Sequence, residues 1–150
     1  MTRELLFITN FESQFATSTG WHSLATTVGA TPTSNLAASD FPGFLAIPGE
    51  TSYTSFDSAG HPITGVQAFA LRVYFQHAQL MLSNMRTSRS DYIGTIEAFF
   101  AGIYTPPSVS TGDPARIDSV ILEKIEPGSL NKSETRSVIT VQALCHFTLL

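Results

Sequence analysis

A chain of 150 residues suits a single domain, residues 1–150, that buries a core without disulfides or metal ions. Charged residues make up 13% of it, about half of the usual ~25%, and the Ser, Thr, Ala and Gly in their place favour a subunit covered by neighbours over a monomer. The net charge of −4 argues against general nucleic-acid binding, and a single cysteine, Cys145, excludes an intramolecular disulfide.

The first predicted element is a helix near the N-terminus, which Thr2 can cap. Leu5, Ile8, Phe11 and Phe15 recur at helical spacing and are expected on its inward face. The same stretch has no apolar run of signal-peptide length, and no segment approaches the ~18 continuous apolar residues of a membrane span. We therefore expect a protein that is made in the cytosol and has no membrane partner.

A second short helix is predicted after Gly20, with Trp21, Leu24 and Val28 turned inward. Two threonines within it lower its helix propensity. Residues 31–39 are mostly Thr, Ser, Pro and Ala, a composition that predicts a loop.

The segment FPGFLAIPGE predicts a short strand between Pro42 and Pro48. Because proline cannot donate a hydrogen bond to a strand ladder, we expect this strand to be very short or at an edge of the sheet. The residues that follow it are typical of a turn or a long hairpin loop: Asp57, Ser58, Gly60 and Pro62.

The clearest strand signal of the N-terminal half covers residues 64–78, which include QAFALRVYFQHA. Alternation places one set of its side chains in the core: Phe69, Leu71, Val73 and Phe75. The opposite face carries Arg72, Tyr74 and Gln76, and these three residues are the candidate subunit interface. In a chain with so few catalytic residue types, a contact surface explains this face better than a substrate site does.

The next segment, HAQLMLSNMRTS, fits either the end of that strand or a helical turn. A helix is predicted from Ser88, which forms a capping-box pattern with Asp91 three residues later. Its apolar residues recur at helical spacing: Ile93, Ile96, Phe99 or Phe100, and Ile103. Pro106 and Pro107 are expected to end this helix near Tyr104.

Two strands complete the chain. RIDSVILEKIE is expected to place these residues on one face: Ile117, Ser119, Ile121, Glu123 and Ile125. SVITVQALCHFTLL is expected to have this apolar face: Ile139, Val141, Ala143, Cys145, Phe147 and Leu149. Its other face would carry Thr140, Gln142, His146 and Thr148. EPGSLNKSET, between the two strands, is predicted to be a projecting hairpin loop.

These elements predict an α+β fold, in which an antiparallel sheet packs its one apolar face on helices as a two-layer sandwich. The helix between Ile93 and Ile103 is expected to cover the sheet, and the N-terminal helix to pack beside it or at an end. If both helices share one face, the other is left with Thr, Gln, Arg and Tyr, which meet solvent or another subunit.

The sequence has no phosphate-binding P-loop, no dinucleotide-binding glycine pattern and no nucleophile elbow. Its histidines form no short-range pair of metal ligands: His22, His61, His77 and His146. Cys145 lies among apolar residues and is interpreted as a buried, inert thiol. The aromatic residues between Tyr92 and Tyr104 are interpreted as core. We therefore expect no enzymatic activity, no metal site and no cofactor.

The order of helix, loop, short strand, long strand, helix and two long strands resembles that of the tail terminator proteins of long-tailed bacteriophages and their neck-protein relatives. The resemblance covers most of the chain. It includes the strand ALRVYFQHA followed by the helix DYIGTIEAFFAGIY, and a last strand, VITVQALCHFTLL, that reaches the end of the sequence. TSYTSFDSAGHPITG and TPPSVSTGDPA would be insertions relative to that family.

The resemblance implies a structural virion protein of the tail or neck, made in the cytoplasm of a host bacterium. Such a protein forms a ring, typically a hexamer, on the last ring of the tail tube, stops tube polymerisation and joins the tail to the head connector. The implied partners are other copies of the chain, the tail tube protein and the head connector or neck protein. DNA only passes through the lumen, which an acidic protein suits because it does not bind the phosphate backbone.

Two alternatives accompany this interpretation. One is another virion structural protein, such as a head-closure, tail tube or minor capsid protein. The other is a small-molecule-binding or enzymatic α+β domain, which predicts a deep pocket lined by the Phe-rich helix, with His77 or His146 pointing into it.

Overall fold

A computed structural model describes residues 1–25, 37–76, 82–126 and 136–150, with the side chains of the second helix described from residue 86 onward. Within these residues two α-helices and five strands follow one another, confirming the predicted α+β class. They are α1 (Arg3–Thr19), β1 (His22–Ser23), β2 (Gly43–Phe56), β3 (Pro62–Gln76), α2 (Leu82–Ala98), β4 (Ala115–Glu126) and β5 (Arg136–Leu149).

The strands form one open sheet in the order β1-β2-β3-β5-β4. All neighbouring pairs are antiparallel except the two-residue β1, which runs parallel to the start of β2. β3 and β5 form the centre of the sheet, paired without interruption from Thr64–Thr148 to Gln76–Arg136. Because this central register is regular, side chains alternate strictly between the two faces of both strands.

Helix α1 begins where the sequence predicts, and its inward face differs from the prediction at Leu5. The Thr2 hydroxyl accepts a hydrogen bond from the Leu5 backbone N–H at 3.2 Å, confirming the N-cap. The expectation that Leu5 faces inward is wrong, because its side chain is 53% exposed. Phe11 and Phe15 are buried as predicted and Phe7 is buried in place of Leu5, since the four-residue spacing of the three phenylalanines aligns their rings toward the sheet.

The predicted second helix is wrong over the residues that the structure describes. Gly20 ends α1 in the left-handed conformation, with φ of 73°, and the chain turns into the sheet. The His22 N–H then donates to the Pro42 carbonyl, which places His22–Ser23 beside β2. Val28, the third inward residue predicted for that helix, lies outside the described residues. Most of the predicted loop over 31–39 also lies outside them, and its last residues belong to a short 3₁₀ turn, Ala38–Asp40.

Strand β2 is much longer than predicted and continues beyond Pro48 to Phe56. Pro48 is tolerated because β2 has a strand on only one side over most of its length, and a register shift follows directly between Pro48 and Thr51. The predicted hairpin turn is confirmed and tight. The Asp57 carboxylate accepts hydrogen bonds from the backbone N–H groups of Ala59 at 2.8 Å and His61 at 2.9 Å.

Helix α2 begins at Leu82, six residues before Ser88, so the predicted capping box is wrong. Ser88 and Asp91 lie inside the helix, which begins within the segment HAQLMLSNMRTS. Helical structure continues through a π-helical turn, Phe99–Ile103, and the chain is extended at Tyr104, as the following prolines predict.

Strand β4 does not keep the single face that was predicted for it. Register shifts against β5 lie between Ile117 and Ser119 and between Leu122 and Lys124, and each bulge reverses which alternate residues face the core. Ile121 is therefore 47% exposed, contrary to prediction. The residues that are buried in the core or packed against it are Ile117, Val120, Leu122 and Ile125.

Both helices lie on the same face of the sheet. In α1, Phe11 contacts Phe69 of β3 at a ring-centroid distance of 5.0 Å and Phe99 at 5.4 Å. In α2, Tyr92 stacks on Phe75 at 4.6 Å. The aromatic residues between Tyr92 and Tyr104 thus belong to the core, as predicted, and the opposite face of the sheet is left without a described helix over it.

Candidate interface on the open face of the sheet

The open face consists of the side chains that point away from the helices. In β3 and β5 these side chains form successive cross-strand rows: Val66–His146, Ala68–Leu144, Ala70–Gln142 and Arg72–Thr140. All eight are partly exposed, whereas the neighbouring residues on the helix side are buried. The sequence prediction of two contrasting faces for these strands is therefore confirmed.

The structure places Arg72, Tyr74 and Gln76 together along one end of this open face. Arg72 and Tyr74 are half-buried and Gln76 is exposed. Burial raises the pKa of the Tyr74 phenol above its usual value, and a hydrogen bond from Arg72 together with its charge partly offsets that rise. Arg72 and Tyr74 thus form a connected pair rather than two independent surface groups.

Tyr74 also packs within its own subunit, which the sequence did not indicate. Leu24 and Leu45 are 1% and 3% exposed and form a small second cluster on the open side of the sheet. Phe41, Ile47 and Tyr74 pack against it. Since its members come from distant parts of the chain, no local pattern identifies the cluster. Tyr74 therefore supports this cluster in addition to any contact with a partner.

A second arginine lies at the same end. Arg136 is the register partner of Gln76, and its guanidinium lies 4.9 Å from the centre of the Phe41 ring. Arg72 and Arg136 thus bring two guanidinium groups to this end of the open face, where Glu126 lies in the same row as Arg72.

The middle of the open face is apolar and built partly from small side chains. Ala68, Leu144 and Ile121 are register partners across β3, β5 and β4. Ile47 pairs with Ala70 one row away. Ala68, Leu144 and Ile47 are partly exposed and Ile121 is 47% exposed, so the row is open to a partner.

The other end of the open face carries a hydrogen-bonded group that sequence inspection missed. Arg116 donates to the Asp118 carboxylate at 2.7 Å, and the Thr148 hydroxyl donates to the same carboxylate at 2.7 Å. Desolvation alone would raise the pKa of Asp118, but these hydrogen bonds and the Arg116 charge lower it below its usual value. In the next strand Thr64 pairs with Thr148 and shares a hydrogen bond of 2.6 Å with Ser55.

The residues singled out for chemistry do not converge. Cys145 is buried, and desolvation raises the pKa of its thiol to about 12, as expected for an inert cysteine. His146 lies on the open face, and His22 and His61 are exposed, whereas His77 lies outside the described residues. Within the described ranges, no three His, Cys, Asp or Glu side chains are close enough to share a metal ion.

The Phe-rich helix, which the small-molecule alternative places around a pocket, fills the core with its rings. Phe99 is 0% exposed and contacts Phe15 at 4.9 Å. The grooves described on the surface are open and have volumes of about 350 to 470 Å³.

Among the described helices, none combines the length and hydropathy that crossing a bilayer requires. Comparisons with protein-family models and with curated proteins found no match to this chain.

Proposed function

We propose that this protein is a structural virion subunit, a tail terminator that forms a ring at the head-proximal end of a phage tail tube. In this role it stops tube polymerisation and joins the tail to the head connector. The observation that supports the proposal most directly is the uncovered apolar row Ala68–Leu144–Ile121 in the middle of the open sheet face. An apolar row bordered by polar ends is typical of a surface that another protein covers.

The size of this face fits one contact of a subunit that has more than one neighbour. Four strands about 4.8 Å apart and a length of about 40 Å, from the Thr64 row to the Gln76 row, make roughly 750 Å². A standard interface buries roughly 800 Å² on each partner. The face therefore suits one subunit contact, and a ring subunit adds a second, different surface for its other neighbour and a third for the tube.

The charge of the chain supports the same role. With a net charge of −4, the lumen of such a ring would not hold the passing DNA. Only 13% of the residues are charged, a composition that suits faces buried between subunits.

The decisive experiment measures oligomeric state by light scattering at tens of micromolar, together with negative-stain microscopy. We expect hexameric rings from the wild-type chain. Leu144→Lys should release monomers of unchanged thermal stability, because lysine can extend from the half-buried site into solvent. Thr17→Lys, at an exposed position of α1, is the matched control and should still form rings.

A wild-type chain that stays monomeric under these conditions contradicts the proposal. An assembly of another copy number would instead favour a head-closure, tail tube or minor capsid protein.

A further inference from the structure

A second surface with the features of a binding site lies at the outer edge of the sheet. β4 is the last strand in the sheet order, and no described strand pairs with its outer side. A groove of about 410 Å³ lies between this strand and the helical segment formed by α2 and its π-helical continuation. The groove is lined by Glu97, Phe100, Ala101, Val120, Ile121 and Leu122. This groove is distinct from the open face, because Phe100, Val120 and Leu122 lie on the helix side of the sheet.

The part of β4 next to the groove can accept another strand. Residues 119–122 pair regularly with β5, between the two register shifts. In an edge strand, alternate residues direct their N–H and C=O groups outward, where they can pair with an added strand. The bulges limit this pairing stretch to about four residues, which is enough for a short extended peptide but not for a long sheet edge.

The side chains around this edge are apolar on both sides of it. Val120, Leu122 and Phe100 are half-buried and form the floor of the groove. Ile121 points to the opposite face and is 47% exposed, and Ile103, near the end of the helical segment, is 53% exposed. An added strand would therefore direct alternate side chains into the groove and the others toward the side of Ile121.

The charges at this edge indicate the chemistry of the partner. Arg116 is paired with Asp118, and Lys124 is paired with Glu126 at 2.9 Å. Glu97 lines the groove and Glu123 lies at the bulge that ends the regular stretch, and neither carboxylate has a hydrogen-bond or ion-pair partner within the described residues. The rim is therefore negative and favours a basic segment.

The opposite edge of the sheet in a second copy does not supply that segment. The other long edge strand, β2, has the sequence GFLAIPGETSYTSF, which contains Glu50 and no Lys or Arg. Pairing it with β4 would bring Glu50 to an edge that is already acidic, so a different protein is the better fit.

We propose that the edge of β4 binds an extended segment of another protein, in which apolar residues alternate with Lys or Arg. The segment adds a short strand beside residues 119–122, places one apolar side chain in the Phe100–Leu122 groove and lies with its basic side chains near Glu97 and Glu123. Ile121 borders both this groove and the apolar row of the open face, whereas Glu97 and Glu123 lie outside that row, so variants of the two glutamates test the groove separately.

The experiment uses the full chain and a labelled peptide with the sequence acetyl-Lys-Val-Lys-Val-Lys-Val-amide, titrated by fluorescence anisotropy. We expect saturable binding and slower hydrogen exchange of backbone amides within residues 119–122. The double variant Glu97→Lys with Glu123→Lys should bind about tenfold more weakly, because two favourable charge contacts are reversed. Glu50→Lys, on the opposite edge, is the control and should bind as the wild type does.

Three results would overturn the proposal. The first is that binding does not saturate at millimolar peptide, and the second is that the double variant binds the peptide as tightly as the wild type. The third is that the peptide slows amide hydrogen exchange outside β4. Protection of residues 119–122 that rises with protein concentration, without peptide, would assign the edge to a second copy instead. Light scattering of the double variant separates this proposal from ring formation. If the variant still forms rings but no longer binds the peptide, the substitutions have affected only the β4 edge.

Discussion

The guanidinium of Arg3 donates a hydrogen bond of 2.6 Å to the side-chain oxygen of Gln67, on the helix-covered face of β3. Gln67 is 0% exposed, and its amide nitrogen donates to the Glu4 carboxylate at 2.8 Å. Arg3 also donates to the Thr51 hydroxyl at 3.2 Å and lies 4.0 Å from the centre of the Phe147 ring. This polar group attaches the first turn of α1 to the sheet at one end of a core that is otherwise apolar.

Gln67→Ala should destabilise the protein by about 1–3 kcal/mol, because it removes both hydrogen bonds and leaves the half-buried Arg3 guanidinium with Thr51 as its remaining hydrogen-bond partner. The free energy of unfolding in urea measures the effect. Gln142→Ala is the matched control, since it removes the same type of side chain from the open face, and it should cost less than about 0.5 kcal/mol. Equal losses in the two variants would show that the Arg3–Gln67–Glu4 group contributes no particular stability.

Val73→Asp should prevent folding. Val73 is 0% exposed on the helix side of β3, and the aspartate would be buried without a compensating charge. Circular dichroism and the loss of a cooperative thermal transition report the result. A folded Val73→Asp protein would mean that the two faces of β3 are exchanged relative to the structure.

Arg72→Glu should leave the protein folded and impair ring assembly. The side chain is half-buried on the open face. In the free subunit the reversed charge can be solvated, whereas in the assembled ring it would face the neighbouring subunit. Thermal denaturation checks folding and light scattering checks assembly. Rings of normal size from this variant would remove Arg72 from the interface.

Tyr74→Ala is expected to affect both stability and assembly, because the ring packs on the Leu24–Leu45 cluster of its own subunit. We expect a loss of about 1–3 kcal/mol, in addition to weaker assembly. Tyr74→Phe keeps the packing and removes the hydroxyl that bonds to Arg72, so it separates the two effects. A Tyr74→Ala protein as stable as the wild type would show that the second cluster does not depend on this residue.

The Cys145 thiol should resist alkylation in the folded protein at pH 8, because burial raises its pKa to about 12 from the ordinary value of 9.0. Its contribution to stability is fully present below pH 9 and is lost as the pH rises from 9 toward 12, since only the unfolded chain then releases the proton. Cys145→Ala should therefore lose less stability than the wild type between pH 8 and pH 10.5. Thermal midpoints at the two pH values test this, and equal losses would contradict a raised pKa.

The strand faces of β3 and β5 could be predicted because their alternation is local and their mutual register has no interruption. The positions of Arg72 and Gln76 on the open face followed from the same alternation. Alternation alone misplaced Ile121, however, because the bulges of β4 arise from how that strand pairs with β5 and have no clear signal in RIDSVILEKIE.

In α1 the sequence allowed two overlapping inward stripes, one through Leu5 and Ile8 and one through Phe7, Phe11 and Phe15. Only the tertiary structure distinguishes them, because the phenylalanine rings contact Phe44 and Phe69 in strands far along the chain. The same holds for the Leu24–Leu45 cluster, the Arg116–Asp118–Thr148 group and the groove beside β4, each of which joins residues from separate elements. The sequence by itself determined the fold class and the two faces of the central strands, since those depend on local periodicity. The tertiary structure decided which polar groups meet and which surfaces stay uncovered, since both depend on long-range packing.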